Sequence, residues 1–197
     1  MAVRTIDPAE LLSLAEFDRR REEIRREIIA IRDRRRVEVG PWVSFTFENR
    51  RTVLYQIQEM LRIERITDPA KVAEEIEAYR DLLPGPRELS ATMFIEISEA
   101  AQRDRALSRL GGIEKTISLR LGRLRSRALD KRPIDPRFAR PGRASAVCYL
   151  GFPVAARAAK APPWRSASLE IAHPAYGHSA ALRPDTLAAL ARDLKGL

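Results

Sequence analysis

Both histidines of the chain lie in one segment of six residues, HPAYGH, at positions 173–178. Glu170 precedes His173 by three positions, and imidazole and carboxylate groups are common ligands of divalent metals. The spacing suggests a mononuclear site formed by Glu170, His173 and His178. However, the flanking sequence SLEIAHP is typical of a strand, and residues three apart on a strand point to opposite faces. The alternative interpretation is therefore that the histidines hydrogen-bond the turn and cap the C-terminal helix.

A second concentration of polar side chains lies in the sequence YQIQEMLR, at positions 55–62. Helical spacing places Tyr55, Glu59 and Arg62 on one face, which favours either a polar pocket or an ordinary exposed face with an ion pair. Because buried polar groups need partners, we expect the histidine segment to face this helix. The predicted pocket consists of Tyr55, Gln56, Glu59, Arg62, His173 and Tyr176.

The charge of the chain is unbalanced, with 36 basic and 27 acidic residues and a net charge of +9. Arginine accounts for 31 of the basic residues, and residues 120–143 contain nine basic residues against two aspartates. This stretch predicts an exposed basic loop, free of ion pairs within the chain, that could bind nucleic acid or another anion. The alternative is that the arginine excess reflects only a GC-rich genome. The arginines in question are Arg123, Arg125, Arg127 and Arg132.

Several classes of protein are excluded by what the sequence lacks. The single cysteine, Cys148, excludes an internal disulfide framework and a cysteine-only zinc site, and its strand-like surroundings predict a small buried side chain. The common nucleotide-binding, zinc-protease and serine-hydrolase motifs are absent. With neither a membrane-length apolar run nor a secretory signal, we expect a cytoplasmic protein without a membrane span.

The N-terminal part of the chain predicts a long amphipathic helix. The sequence Asp7-Pro8-Ala9-Glu10 is typical of a helix start, and apolar residues then recur at helical spacing up to about residue 35. We expect this stripe to pack on the sheet or on a second copy of the chain, in a homodimer. The stripe consists of Leu14, Phe17, Ile24, Ile28 and Ile31.

The remaining pattern predicts five strands, near residues 42–47, 91–97, 115–121, 145–152 and 168–172, separated by amphipathic helices. The strand–helix–strand unit at residues 91–121 favours a right-handed crossover within one sheet. The predicted fold class is α+β, with a single mixed or antiparallel sheet of about five strands, helices on one face and the helical arm. We expect one domain over residues 1–197, comprising the arm at 1–38, the basic loop at 122–144 and a C-terminal helix at 179–197.

Two segments resemble a bacterial family of proteins that is described only as a domain of unknown function. They are YQIQEMLRIERI at residues 55–66 and HPAYGHS at residues 173–179, and the sequences RRRVEVGPWVSFTFENR and MFIEI fit as well. The resemblance covers nearly the whole chain. It implies a bacterial protein whose gene lies beside genes for rubrerythrin-like and iron–sulfur heterodisulfide-reductase-like proteins. No catalytic residue is implied by it.

Three functions follow as hypotheses. The first is a non-catalytic accessory or interaction protein of a redox system, whose partner is an iron–sulfur or rubrerythrin-like protein. The second is a metal-binding enzyme or sensor that holds a divalent metal in the HPAYGH segment. The third is a nucleic-acid-binding protein that uses the arginine-rich loop.

Overall fold

The computed structural model describes residues 5–132, 142–156, 164 and 166–195. Five α-helices and nine strands lie in these residues, with short 3-10 helices at Pro8–Glu10, Arg80–Leu82 and Ile113–Thr116. The α-helices are α1 (Leu14–Asp33), α2 (Arg50–Ile63), α3 (Pro69–Tyr79), α4 (Ala100–Arg109) and α5 (Pro184–Lys195). The strands are β1 (Arg36–Val39), β2 (Val43–Glu48), β3 (Glu88–Ile95), β4 (Ile117–Leu121), β5 (Leu124–Arg127), β6 (Leu129–Asp130), β7 (Val147–Pro153), β8 (Ala167–His173) and β9 (Tyr176–Ala181).

The strands form two antiparallel sheets, which confirms the α+β class but corrects the expectation of a single sheet. One sheet has the order β1-β2-β3-β7-β6 and the other the order β5-β4-β8-β9. The predicted crossover between the strands that flank α4 is wrong, because β3 and β4 belong to different sheets. Strand patterns reveal which residues are buried, but they carry no information on which strands pair.

The main core lies between the two sheets. Alternate residues of the five-stranded sheet point inward, among them Phe45, Phe47 and Phe152, and they pack with Leu119 and Leu169 of the four-stranded sheet. This is the usual arrangement of stacked antiparallel sheets, in which each strand buries every second side chain. The opposite face of the five-stranded sheet is consequently left for a different partner.

That partner is the pair α1 and α2. The apolar stripe of α1 packs against α2, where Phe17, Ile24 and Ile28 are buried with the ring of Tyr55. The predicted burial of the stripe is confirmed, but its partner is a helix of the same chain. This packing removes the reason for invoking a homodimer through this helix, and the first 38 residues also include strand β1 rather than forming a separate arm.

Local capping signals are present, but the predicted start of the long helix is wrong, because Asp7 caps the separate 3-10 helix and α1 begins at Leu14 with Ser13 as its cap. Asp7 and Glu10 form a capping box, Asp68 caps α3 with Pro69 in its first turn, and Glu99 caps α4. The predicted C-terminal helix begins only at Pro184, because residues 176–181 form strand β9. No helix in the described residues is long and apolar enough to cross a membrane.

Candidate functional site

The outer face of the five-stranded sheet, which α1 and α2 cover, is polar. The registers align Arg36 with Thr46, Thr46 with Thr92, and Thr92 with Tyr149, so four strands contribute one continuous polar row. Ser44 and Glu48 flank Thr46 on β2, and all three are buried. A buried row of hydroxyl and charged groups is unusual in a sheet of this size, because buried polar groups require partners.

A cleft of about 560 Å³ lies between this polar row and parts of the two helices. Ile29, Arg32 and Asp33 of α1 and Gln56 of α2 line its helical side, and Phe94 and Val147 extend the sheet side. This volume lies within the range of roughly 300–1,000 Å³ that is usual for small-molecule sites. Because its lining also includes the buried polar residues Thr46, Glu48 and Thr92, the cleft is the candidate site.

Glu48 is the most unusual residue of the cleft, because its side chain is carboxylic and yet only 4% of the residue is exposed. The Thr92 hydroxyl donates to Oε1 at 2.7 Å, and the Thr52 hydroxyl and the Gln56 amide donate to Oε2 at 2.6 and 3.3 Å. No arginine or lysine in the described part of the chain forms an ion pair with it. Three neutral donors thus hold a buried carboxyl group in place without neutralising a charge on it.

Three other charged residues of the cleft, Arg36, Glu96 and Asp33, have ionic partners. Arg36 donates to Glu96 at 2.5 Å, and the Ser44 hydroxyl donates to the same carboxylate oxygen at 2.7 Å. Burial acts to raise the pKa of Glu96, but the hydrogen bonds from Ser44 and Arg36 outweigh it and lower the pKa below its usual value. Asp33 lies 3.9 Å from Arg183.

Arg32 has no carboxylate partner among the residues that the structure describes. Its guanidinium lies 5.9 Å from the centre of the Tyr55 ring, a cation–π distance, and it lines the cleft from the last turn of α1. The cleft therefore contains one carboxylate and one guanidinium that no ion pair neutralises. Chemically, such an arrangement can hold a charged polar molecule, while the apolar Phe94, Ile29 and Val147 can contact its carbon skeleton.

Of the four polar residues predicted on α2, only Gln56 lines this cleft. The Tyr55 hydroxyl donates to Glu59, which also accepts from Arg21 of α1 at 2.9 Å, and Arg62 pairs with Asp18 at 2.6 Å. Burial and the Glu59 carboxylate raise the pKa of Tyr55 to about 12. These contacts join α1 to α2, as expected for ion pairs on packed helices.

The structure does not bring His173 and Tyr176 to this helix. The Tyr176 hydroxyl donates to the Val39 carbonyl at 2.9 Å and accepts from the amides of Trp42 and Val43 at 2.9 and 3.2 Å. The shared pocket predicted from the two segments is therefore not formed. Tyr176 instead stabilises the turn between β1 and β2, where Gly40 has a φ of +73° and a Cβ would lie 2.6 Å from the tyrosine oxygen.

His173 forms one hydrogen bond within its own turn, as the alternative interpretation proposed, and one outside it, but neither histidine bonds to the last helix in the described residues. The Nδ1 of His173 accepts from the Ala175 amide at 3.2 Å, so Nε2 carries the proton and donates to the Gly111 carbonyl at 3.3 Å. The turn joins β8 to β9, however, and not the last strand to the last helix. His178 packs edge-on against the Tyr176 ring at a centroid distance of 4.4 Å.

The predicted metal set is corrected by the strand register. His178 pairs with Ile171 and His173 with Tyr176, so both histidines lie on the face of Ile171, whereas Glu170 lies on the opposite face. Glu170 binds Arg120 and Arg125 there, at 3.3 and 3.5 Å. The described residues contain no cluster of three histidine, cysteine or acidic side chains that could hold a metal ion.

The basic stretch forms strands β5 and β6 before it enters residues 133–141, which lie outside the described residues. All four predicted arginines are exposed, as expected. The expectation that none is paired is wrong for Arg125, which binds Glu170 and donates to the Ser118 hydroxyl. Arg132 lies over the Tyr149 ring at 5.5 Å.

Sequence reasoning missed Glu48, Thr92 and Arg32. The alternation in WVSFTFE, which predicts a strand, also places Ser44, Thr46 and Glu48 on one face. A glutamate at the end of such a polar face could have been identified as buried only if α1 and α2 were known to cover it. Cys148 is buried as predicted, and burial raises the pKa of its thiol to about 12, which makes it a poor nucleophile.

Comparisons with other proteins agree with this fold and add no activity. The model of a family described as "Protein of unknown function (DUF3501)" matches residues 5–194. A crystal structure of a protein of unknown function from Burkholderia pseudomallei K96243 is similar, with 33% sequence identity and a TM-score of 0.87. The match covers 96% of this chain and 99% of that one. No curated protein matches the chain.

Proposed function

The chain belongs to the DUF3501 family, and we propose that it is a non-catalytic accessory protein of the bacterial cytoplasm that binds a small polar molecule in the sheet–helix cleft. The observation that carries the proposal is the buried Glu48 carboxyl group, which three neutral donors hold at the cleft without an ion pair among the described residues. Burying an ionised carboxylate is costly unless a partner compensates it. A bound molecule is the partner that this geometry can accept.

A thermal-shift screen of small polar metabolites tests the proposal. The Val147→Trp variant narrows the cleft at its rim, and Leu129→Trp places the same ring at an exposed position of the same sheet outside the cleft. We expect at least one compound to raise the melting temperature of the wild type and of Leu129→Trp, but not of Val147→Trp. A screen without a stabilising compound, or stabilisation that persists in Val147→Trp, contradicts the proposal.

The partner proposed for this accessory role is an iron–sulfur or rubrerythrin-like protein. The support is the resemblance of residues 55–66 and 173–179 to a family, because that resemblance implies such gene neighbours. Co-purification from a native host, with iron and acid-labile sulfide measured in the recovered complex, tests this step. A complex that contains an iron protein is the expected result, and recovery of partners without iron argues against the redox link.

Nucleic-acid binding is the second candidate function, and the exposure of the arginines in β5 and in the turn before it favours it. Arg123 and Arg127 form no ion pair with another residue in the described ranges, so their charges face solvent. Phosphate contacts release counterions, so binding to a generic RNA should weaken steeply as salt is raised. An Arg123→Gln, Arg127→Gln double variant should lower the salt slope by about two units. An unchanged slope in the variant argues against this function.

A further inference from the structure

We infer that the molecule bound in the sheet–helix cleft is a small zwitterion, with an ammonium group that pairs with Glu48 and a carboxylate or phosphate group that pairs with Arg32. This inference rests on the proposed function and specifies its ligand. It follows from how the charged side chains of the cleft are paired.

Five charged side chains line the cleft, and three of them are already in ion pairs. Arg36 and Glu96 pair with each other, and Asp33 lies near Arg183. Glu48 and Arg32 are the two without an ionic partner in the described part of the chain, and they do not pair with each other. A single ligand with charges of both signs would neutralise both.

Glu48 favours a cationic group rather than a neutral one. Its Oε1 accepts only from Thr92, so it has acceptor capacity left, and an N–H donor on a cation forms a stronger bond to a carboxylate than a neutral donor. An ammonium group would also replace the solvation that the carboxylate loses on burial. The polar neighbours Thr46 and Tyr149 add hydroxyl groups along the same row of the sheet.

Arg32 favours an anionic group at the other side of the cleft. Its guanidinium lies 5.9 Å from the centre of the Tyr55 ring and donates no hydrogen bond to another residue in the described ranges, so its N–H groups are available. Guanidinium edges match carboxylate and phosphate groups in two-point hydrogen bonding. Because Arg32 comes from α1 and Glu48 from β2, the distance between the ligand's charges is set by the separation of helix and sheet.

Isothermal titration calorimetry with ω-amino acids from glycine to 6-aminohexanoate tests the inference. Butylamine and butyrate serve as ligands with a single charge. We expect one chain length to bind best and to bind about tenfold or more tightly than either single-charge compound, because each lost charged contact removes at least that much affinity.

Variants of Glu48 and Arg32 test whether these two residues determine the affinity for the zwitterion. Glu48→Gln and Arg32→Gln should each weaken binding of the best zwitterion by about tenfold or more. Arg19→Gln, an exposed arginine of α1 outside the cleft, should leave it unchanged. Arg32 is not part of the buried hydrogen-bond network, so its variant remains informative even if Glu48→Gln does not fold.

Several results overturn the inference, and they separate its failure from that of the proposed function. If butylamine binds as tightly as the zwitterions, or if Arg32→Gln has no effect, the ligand is not a zwitterion although the cleft still binds. If no ω-amino acid binds while the metabolite screen finds a compound that Val147→Trp blocks, the inference fails and the proposed function stands. If neither experiment finds a ligand, both fail.

Discussion

Arg35 and Asp193 form a two-point ion pair that joins the segment between α1 and β1 to the last turn of α5, with N–O distances of 2.7 and 2.8 Å. The two residues are 158 positions apart in the chain, and the Arg35 side chain is 7% exposed and that of Asp193 11% exposed. The pair therefore connects the region after the first helix to the C-terminal helix through a contact that is largely shielded from solvent. Removing one partner leaves the other charge buried and uncompensated.

The Arg35→Met variant should consequently lower the free energy of unfolding by about 3–5 kcal/mol, as expected for a broken buried pair. Urea denaturation measures the loss. The control is Arg62→Met, which breaks the exposed pair with Asp18 and should cost less than about 1 kcal/mol. Equal effects of the two variants would show that burial does not set the strength of the Arg35 pair.

Phe17→Ala should also destabilise the protein strongly, because Phe17 is 1% exposed between α1 and α2. Removing a fully buried phenylalanine ring costs about 3–5 kcal/mol through lost burial and the cavity left behind. Ile63→Ala removes an apolar side chain that is 66% exposed on α2, and it should change stability by less than about 0.5 kcal/mol. A small effect of Phe17→Ala in urea denaturation would contradict the packing of α1 on α2.

Tyr176→Phe tests the role of the HPAYGH segment as an anchor for the β1–β2 turn. The variant keeps the ring against Trp42 but leaves the Val39 carbonyl and the amides of Trp42 and Val43 without their partner. We expect a loss of about 1–3 kcal/mol, the cost of unsatisfied buried polar groups. Hydrogen exchange of the Val43 amide should accelerate in the variant. The matched control is Tyr79→Phe, which removes a tyrosine hydroxyl from α3. If this control loses a similar amount of stability, Tyr176 is not a specific anchor for the turn.

Cys148 should be unreactive in the native protein. Burial raises the pKa of its thiol to about 12, so almost no thiolate exists at pH 8. We expect a thiol reagent to label the folded chain slowly at pH 8 and to label it fully in denaturant. Rapid labelling of the folded protein would show that the β7 strand opens readily.

Tyr55 should make the protein less stable in alkali. Its folded pKa is raised to about 12 by burial and by Glu59, whereas an unfolded tyrosine ionises near pH 10. The stabilising contribution is therefore fully present below pH 10 and is lost as the pH rises from 10 to 12, because only the unfolded state releases the proton in this window. Unfolding free energies measured between pH 9 and 11.5 should fall less steeply in Tyr55→Phe. If the unfolding free energies of the wild type and of Tyr55→Phe fall equally with pH, the Tyr55 hydroxyl is not shielded beside Glu59.

The helices and several strands could be predicted from the sequence because their signals are local. The capping residues Asp7, Asp68 and Glu99 act on amides within three positions, and the stripe of α1 repeats every three to four residues. Strand β9 was missed because YGHSAA contains mainly small and polar residues, which do not favour a strand. The strand forms because it pairs with β8.

Only the tertiary structure decided which side chains meet. Tyr176 and Glu59 were expected to share a pocket because their types match, but the register of β8 and β9 directs Tyr176 to the β1–β2 turn. The candidate site depends on Glu48, Thr92 and Arg32, which come from two strands and a helix far apart in sequence. The sequence determines the periodicity of each element by itself. Contacts between elements depend on the pairing of strands and the packing of helices over a sheet face, which are properties of the whole fold.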